Sequence, residues 1–199
     1  TGSAVITINT AAAITTKPTN QTTCVGTPVT FTVVATGAGL TYQWRKGGVN
    51  IPGATLSSYT IPATVLGDAG SFDVVLSGTC APPVTSTAVT LTINTAPAIT
   101  TQPTNQLVCS GSPATFSVVA TGTGLSYQWR KGGVNIPGAI LSSYTILTTA
   151  IGDAGNYDVI ISGTCPPSVT SNIATLSVNG SPTASVFSGD ASICLGGTT

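Results

Sequence analysis

Short alternating runs of apolar and polar residues, separated by turns that contain glycine or proline, make up most of the chain. One run places Phe31 and Val33 on one face and threonines on the other, and a later run does the same with Phe72, Val74 and Leu76. Successive side chains of a β-strand point to opposite faces, so this pattern predicts strands with one buried face. The spacing predicts an all-β fold of antiparallel β-sandwiches with about seven strands each.

The whole pattern occurs twice. Residues 11–95 align with residues 96–180 without a gap, and most positions are identical. Residues 4–9 are similar to the end of a repeat, and Cys194 stands where a third copy would carry the counterpart of Cys109. We therefore divide the chain into the last strand of a preceding repeat (1–10), repeat 1 (11–95), repeat 2 (96–180) and the first strand of a truncated third repeat (181–199). Short strands at this period favour an array of separate domains over a solenoid.

The composition narrows the range of functions. Charged residues make up 5% of the chain and the net charge is zero, so we expect no electrostatic attraction to nucleic acid. The apolar runs are far shorter than the roughly 20 residues of a membrane helix, so we expect no membrane span in this piece. Five cysteines without histidine or a C-x-x-C pair argue against zinc and for disulfides, which predicts an extracellular protein without a cofactor.

No pattern of catalytic residues is evident. A serine or cysteine nucleophile would have no histidine to activate it. Asp68 and Asp153 lie at glycine-containing corners, where a carboxylate typically accepts backbone hydrogen bonds. Trp44 and Trp129 lie in runs of alternating apolar and polar residues, on the apolar side. We therefore expect them in the core and not on a surface where a sugar ring could stack on them. The sequence therefore predicts a protein that is not an enzyme.

Two motifs carry a resemblance to a known family. Residues 42–48 (YQWRKGG) resemble strand C of an immunoglobulin-like domain, with Trp44 as the core tryptophan. Residues 68–74 (DAGSFDV) resemble the corner that precedes strand F, and the second copy has the family's tyrosine at Tyr157. A Cys-x-Gly motif lies before strand B and a further cysteine lies in the region between strands F and G. This arrangement is similar to tandem immunoglobulin-like domains of giant Bacteroidetes-type cell-surface proteins, including gliding and adhesin-like repeat proteins. The resemblance implies immunoglobulin-like sandwiches on a bacterial cell surface.

The chain departs from this family at the inter-sheet disulfide. The two positions that would hold it are Val33 and Val74 in repeat 1, and Val118 and Val159 in repeat 2. A disulfide contributes about 2–4 kcal/mol, and a buried valine contributes roughly 1.5–3 kcal/mol. We therefore expect a core that is stable with valine at these positions.

The cysteines lie elsewhere, and their pairing is open. Strand geometry places Cys24 and Cys80 near opposite ends of one domain, roughly 40 Å apart, whereas a disulfide needs Cα atoms within roughly 7 Å. This favours an inter-domain bond between Cys24 and Cys165, with Cys80, Cys109 and Cys194 pairing outside this piece. The alternative is a bond within each domain, Cys24–Cys80 and Cys109–Cys165.

The favoured function is structural. Residues 45–53 and 130–138 are identical, which is typical of a duplicated spacer rather than of diversified binding loops. We expect a stalk or filament segment of a large extracellular, adhesin-like repeat protein that projects a distal functional region. Its partners would be the neighbouring repeats of the same chain, with lateral self-association left open. The alternatives are a weak multivalent binding module for a glycan or matrix protein, and an accessory region of a large secreted enzyme.

Overall fold

The computed structural model describes residues 8–180, and the chain divides into two compact units with the boundary between Thr95 and Ala96. Residues 8–10 are not in a strand. The rest of the strand expected over 1–10, and the truncated repeat expected over 181–199, lie outside the described residues. Each unit is described by itself below.

In unit 1 the strands are short and joined by tight turns. They are β1 (Ala13–Thr16), β2 (Gln21–Cys24), β3 (Val29–Thr32), β4 (Val34–Thr36), β5 (Thr41–Lys46), β6 (Val49–Asn50), β7 (Ser58–Ile61), β8 (Gly70–Ser77), β9 (Val84–Thr85) and β10 (Val89–Asn94). A single 3-10 turn, Leu66–Asp68, precedes β8 in the described part of this unit.

Unit 2 repeats the same order of elements. Its strands are β11 (Ala98–Thr101), β12 (Gln106–Cys109), β13 (Ala114–Ser117), β14 (Val119–Thr121), β15 (Ser126–Lys131), β16 (Val134–Asn135), β17 (Ser143–Ile146), β18 (Gly155–Ser162), β19 (Val169–Thr170) and β20 (Ala174–Asn179). The corresponding 3-10 turn is Ile151–Asp153.

The strands of unit 1 form the two layers of an immunoglobulin-like sandwich, which confirms the predicted fold class. One layer has the order β2-β10-β8-β5-β6, with β9 also paired to β8. The other layer contains the pairs β1-β4 and β3-β7. Three of the strands are interrupted, into β1 and β2, β3 and β4, and β9 and β10, so the ten segments reduce to the seven strands of this fold. One pairing differs from the antiparallel expectation, since β10 runs parallel to β2. Unit 2 has the same pairings.

Aromatic side chains fill the space between the layers. Trp44 is fully buried, and the rings of Phe31 and Phe72 stack with centroids 4.9 Å apart. Unit 2 places Trp129 and Phe116 in the same positions, with Tyr157 in place of Phe72. Strand β8 alternates between buried and less buried residues along its whole length. The period-two pattern therefore marks the side that faces the core.

Strand directions define two ends of each sandwich. The end where β10 or β20 finishes is called the C-terminal pole of its unit. The end where β1 or β11 begins, and where β8 or β18 finishes, is called the N-terminal pole. The cysteines of each repeat lie at these poles.

Candidate functional site: the cysteine-bearing poles

Cys24 lies at the C-terminal pole of unit 1. It ends β2 and pairs in register with Asn94, the last residue of β10, while the Val25 N–H donates to the Asn94 carbonyl at 3.0 Å. The carbonyl of Cys24 accepts a hydrogen bond from the hydroxyl of Thr64 at 2.9 Å, and the Thr64 side chain is buried. The backbone that carries this cysteine is therefore held from two sides.

Unit 2 builds the same pole around Cys109. Cys109 pairs in register with Asn179 at the end of β20, and the Ser110 N–H donates to the Asn179 carbonyl at 2.8 Å. The buried Thr149 hydroxyl donates to the Cys109 carbonyl at 3.2 Å and to the Ser112 carbonyl at 2.8 Å. Both repeats therefore place their first cysteine at the same pole, beside the last residue of the final strand.

Cys80 lies at the opposite, N-terminal pole of unit 1, in the loop after β8. The Thr79 N–H donates to the Ala38 carbonyl at 2.8 Å, which ties this loop to the turn between β4 and β5. Gly39 in that turn has φ near +61°, and a Cβ there would meet the Thr79 hydroxyl at 2.6 Å. The Cys80 thiol donates to the backbone carbonyl of Asn9 at 3.5 Å.

Cys165 occupies the equivalent loop of unit 2. The Thr164 N–H donates to the Thr123 carbonyl at 2.8 Å, as in unit 1. A Cβ on Gly163 would lie 3.0 Å from the ring of Pro97, which places this loop beside the segment where the chain enters unit 2. Cys165 is 1% exposed, whereas Cys80 is half-buried.

The bonding states of the cysteines correct two expectations. Cys24, Cys109 and Cys165 are disulfide-bonded, and Cys80 is a free thiol. The alternative pair Cys24–Cys80 is therefore wrong. Cys109 has a disulfide in this chain, so the expectation that it pairs only outside this piece is also wrong. Cys194 lies outside the described residues.

Distance argues against a disulfide within one repeat. Gln21 and Gly70 both lie level with Leu91, and Cys24 and Cys80 lie in opposite directions from that level. About ten strand residues at ~3.3 Å each separate them, or roughly 30 Å. A disulfide needs Cα atoms within roughly 7 Å. The register of unit 2 separates Cys109 from Cys165 in the same way, which argues equally against that pair.

The family's disulfide positions lie in the core as valines. Val33 and Val74 are 3% and 0% exposed, and their counterparts Val118 and Val159 are 4% and 0% exposed. All four belong to the two core clusters of buried residues. These valines fill the space between the layers by packing alone.

The tryptophans are core residues with one satisfied polar atom. The indole Nε1–H of Trp44 donates to the Leu56 carbonyl at 3.0 Å, and that of Trp129 donates to the Leu141 carbonyl at 2.9 Å. Both side chains are fully buried. Neither ring presents a face on which a sugar could stack.

Asp68 and Asp153 have the predicted corner geometry. The Val65 N–H donates to the carboxylate of Asp68 at 2.8 Å, and the Ala150 N–H donates to that of Asp153 at 2.8 Å. Each carboxylate therefore closes the 3-10 turn before strand β8 or β18. The hydroxyl of Tyr157 adds a hydrogen bond to the Asp153 carbonyl at 2.7 Å.

Arg45 and Lys46 end strand β5 and contact groups of their own unit. The guanidinium atoms Nε and Nη2 of Arg45 donate hydrogen bonds to the two carboxylate oxygens of Asp73, at 2.7 and 2.8 Å. This hydrogen bonding raises the pKa of Arg45. Lys46 donates to the Gly67 carbonyl and lies 5.8 Å from the centre of the Phe72 ring. Arg130 and Asp158 form the same pair in unit 2.

Sequence reasoning missed several polar residues that shape the poles and strands. Asp73 and Asp158 were not linked to their arginines, although Arg45 and Asp73 are directly opposite each other in the β5–β8 register. The buried hydroxyls of Thr64 and Thr149 also gave no signal, because they act on backbone carbonyls that are distant in sequence. A polar residue on the outer face of each strand would have been the available clue for the ion pairs.

An open cleft of about 270 Å³ lies in unit 2. It lies between the hairpin Gly132–Gly133 and strand β18, and Ile173 closes one side. Asn156 and Asp158 supply its polar groups. Unit 1 has Ser71 and Ala88 where unit 2 has Asn156 and Ile173, so the lining of this cleft differs between the repeats.

Within residues 8–180, no group of three histidine, cysteine, aspartate or glutamate side chains is arranged to hold a metal ion. The same part of the chain contains no helix with the length and apolar character that crossing a membrane requires.

Comparison with solved structures defines the class of fold. The titin I-band fragment I67–I69 is 19% identical with a TM-score of 0.74, covering 86% of this chain and 66% of that chain. The Sidekick-1 immunoglobulin domains 1–4 are 18% identical with a TM-score of 0.69, covering 86% of this chain and 49% of that chain. The chain is a tandem pair of immunoglobulin-like β-sandwiches.

No family model matches the chain. It is similar to the highly immunogenic outer capsid protein of Enterobacteria phage T4, at 29% identity over 149 residues, covering 64% of this chain and 38% of that protein. It is also similar to the decoration protein of Escherichia phage T5, at 41% identity over 71 residues, covering 35% of this chain and 43% of that protein. The chain spans less than half the length of either relative.

Proposed function

We propose that the chain is a structural segment of a larger extracellular, adhesin-like repeat protein, in which a Cys24–Cys165 disulfide clamps one repeat to the next. Its role is to project a distal functional region from a surface. The observation that carries this proposal is the location of the bonded cysteines at the poles of the repeats instead of between the two sheets.

Contacts within unit 1 support the Cys24–Cys165 pairing. The Cys80 thiol contacts the carbonyl of Asn9. In the repeat alignment Asn9 corresponds to Asn94, and Cys80 corresponds to Cys165. The same local geometry would bring Cys165 to Asn94, the residue beside which Cys24 lies in register. A contact that one repeat makes with the segment preceding it thus supports the proposed pairing.

A clamp of this kind suits a stalk. Strand β10 ends at Asn94 and β11 begins at Ala98, so the connection is too short to act as a flexible linker. A covalent bond across such a connection restricts bending and local unfolding. Disulfides persist in oxidising compartments, which supports an extracellular location.

A structural role also agrees with the use of the polar side chains. The carboxylates of Asp68 and Asp153 accept backbone hydrogen bonds, and those of Asp73 and Asp158 are paired with arginine. Each of these groups stabilises a corner or a strand pair. We therefore propose that this segment is not enzymatic.

The proposed setting is a surface displayed to the outside, as in the giant Bacteroidetes-type proteins that the placement of the cysteines resembles. The phage T4 relative is by name an outer capsid protein, and the phage T5 relative is by name a decoration protein. Similarity to both supports an outward-facing module. Neighbouring repeats of the same chain are the proposed partners, with lateral self-association as a further proposal.

The second candidate is a weak binding module, and the cleft of unit 2 favours it. Asn156 and Asp158 offer polar groups beside Ile173, a combination that suits a small polar ligand such as a sugar. Many copies could add avidity. A glycan array probed with the full chain and with Asn156→Ser separates the two candidates. Binding that depends on Asn156 supports the binding module, and no binding supports the stalk.

Peptide mapping of the unreduced, alkylated chain tests the clamp. We expect a peptide containing Cys24 joined to one containing Cys165. Small-angle scattering should then show a broader distribution of dimensions for Cys24→Ser than for the natural chain. The matched control Cys80→Ser, outside the clamp, should have the same distribution as the natural chain. A chain whose scattering is the same with and without Cys24 would contradict the stiffening role.

A further inference from the structure

Cys80 and Cys165 occupy the same position of the repeat in different chemical states. Both follow a threonine whose N–H donates a hydrogen bond of 2.8 Å to a turn carbonyl. The turn joins β4 to β5 in unit 1 and β14 to β15 in unit 2. Cys165 is bonded and buried, whereas Cys80 is free and half-buried. This loop can therefore place a cysteine where it forms a disulfide, as it does in unit 2. In unit 1 the cysteine at the same position is a free thiol.

A second contact indicates which partner fits this thiol. The Cys80 sulfur lies 3.5 Å from the carbonyl of Asn9. Residues 9–11 and 94–96 have the same sequence, Asn-Thr-Ala, so Asn9 corresponds to Asn94. In unit 1, Asn94 pairs in register with Cys24. Cys80 thus already contacts the equivalent of Asn94, the residue beside which a cysteine of the Cys24 type lies.

We propose that Cys80 is a covalent attachment site for another repeat of the same kind, through a disulfide to that repeat's counterpart of Cys24. The inference rests on the proposed function, because it uses the same pole-to-pole pairing. It makes the N-terminal pole of unit 1 a reactive junction and gives the free thiol a specific partner.

The bond forms by two thiol–disulfide exchanges with glutathione disulfide as the oxidant. The Cys80 thiolate attacks one glutathione sulfur, and the other glutathione leaves as a thiolate that takes up a proton. The thiolate of the partner cysteine then attacks the Cys80 sulfur and releases the second glutathione. Two protein thiols are oxidised to one disulfide, and glutathione disulfide is reduced to two glutathione molecules.

The test uses an extended chain, in which a second copy of residues 11–95 is inserted between Thr10 and Ala11. The added copy is then followed by Ala11 as Thr95 is followed by Ala96 in the natural chain. Both chains are oxidised in a glutathione buffer, alkylated and mapped without reduction. We expect Cys80 to be almost fully alkylated in the original chain. In the extended chain we expect it to be almost fully bonded to Cys24 of the added copy.

Two variants of the extended chain provide controls. Cys80→Ser in the original repeat 1 should leave Cys24 of the added copy alkylated. Cys24→Ser in the added copy should leave Cys80 of the original repeat 1 alkylated. An extended chain with alkylated Cys80 and an intact Cys24–Cys165 bond would overturn this inference alone. A Cys80 bond without a Cys24–Cys165 bond would support this inference and count against the proposed clamp. Loss of both bonds would count against both.

Discussion

The phenolic hydroxyl of Tyr157 donates a hydrogen bond to the backbone carbonyl of Asp153 at 2.7 Å, across the corner that leads into strand β18. Unit 1 has the same corner, with nearly identical backbone angles at Ala69 and Ala154. Phe72 stands where Tyr157 does, and its ring stacks on Phe31 as Tyr157 stacks on Phe116. At this ring position the two repeats therefore differ by one hydroxyl.

This difference predicts opposite effects of a reciprocal exchange. Tyr157→Phe should destabilise unit 2 by about 1 kcal/mol, because it removes one internal hydrogen bond. Phe72→Tyr should stabilise unit 1 by up to about the same amount, because the Asp68 carbonyl is available as the acceptor. Hydrogen exchange followed by mass spectrometry reports the two units separately. Equal protection of both variants and the natural chain would contradict the expectation.

The same tyrosine predicts a dependence of stability on alkaline pH. Burial, together with nearby Tyr144 and Asp153, raises the pKa of Tyr157 to about 12, against about 10 in an unfolded chain. Below pH ~10 both states are protonated and the contribution is complete. Between about pH 10 and 12 only the unfolded state loses the proton, so the stability of unit 2 should fall as pH rises.

The measurement is the urea midpoint of each unit as a function of pH. Tyr157→Phe should make the decline of unit 2 shallower over this range. Unit 1 is an internal control, since it has Phe72 at the equivalent position while Tyr59 and Tyr144 are shared by the two repeats and have raised pKa values in both. A decline of unit 2 that is unchanged in Tyr157→Phe would show that another group causes it.

The Arg45–Asp73 pair predicts a modest and salt-dependent stabilisation. Arg45→Lys keeps the charge but cannot make both hydrogen bonds to the carboxylate. Because both side chains are partly exposed, we expect a loss of only about 0.5–1 kcal/mol. Arg130→Lys should have a similar effect on unit 2. The difference from the natural chain should shrink in 1 M salt, and a difference that stays constant with salt would point to packing instead.

The hydroxyl of Ser86 predicts a larger effect. It accepts a hydrogen bond from the Val74 N–H at 3.1 Å, at the break between β9 and β10 where no backbone carbonyl takes that place. Ser86→Ala would leave this buried donor without its partner and should cost about 1–3 kcal/mol. Ser171→Ala should act equally on Val159 in unit 2. Ser77→Ala, at the end of the same strand β8, is the control and should change the urea midpoint little.

Much of the fold could be predicted from the sequence because its signals are local. The alternation around Phe31 and Phe72 shows which strand face is buried, since strand side chains alternate strictly between faces. The two corner aspartates were predicted correctly because a carboxylate bonds the backbone only a few residues away. The duplication itself shows where the equivalent residues of the two repeats lie.

Other features depend on register across the sheets, which the sequence does not contain. The pairing of Arg45 with Asp73 and the parallel alignment of β2 with β10 bring together residues far apart along the chain. The same register sets Cys24 beside Asn94 and keeps it roughly 30 Å from Cys80. The sequence by itself thus determined an all-β repeat whose cysteines are not at the usual inter-sheet positions. The sequence favoured a bonded Cys165 and a Cys80 without a partner in this piece, but it left a Cys24–Cys80 bond open. The tertiary structure decided against that bond, because a disulfide depends on the distance between two sulfur atoms and not on their separation in sequence.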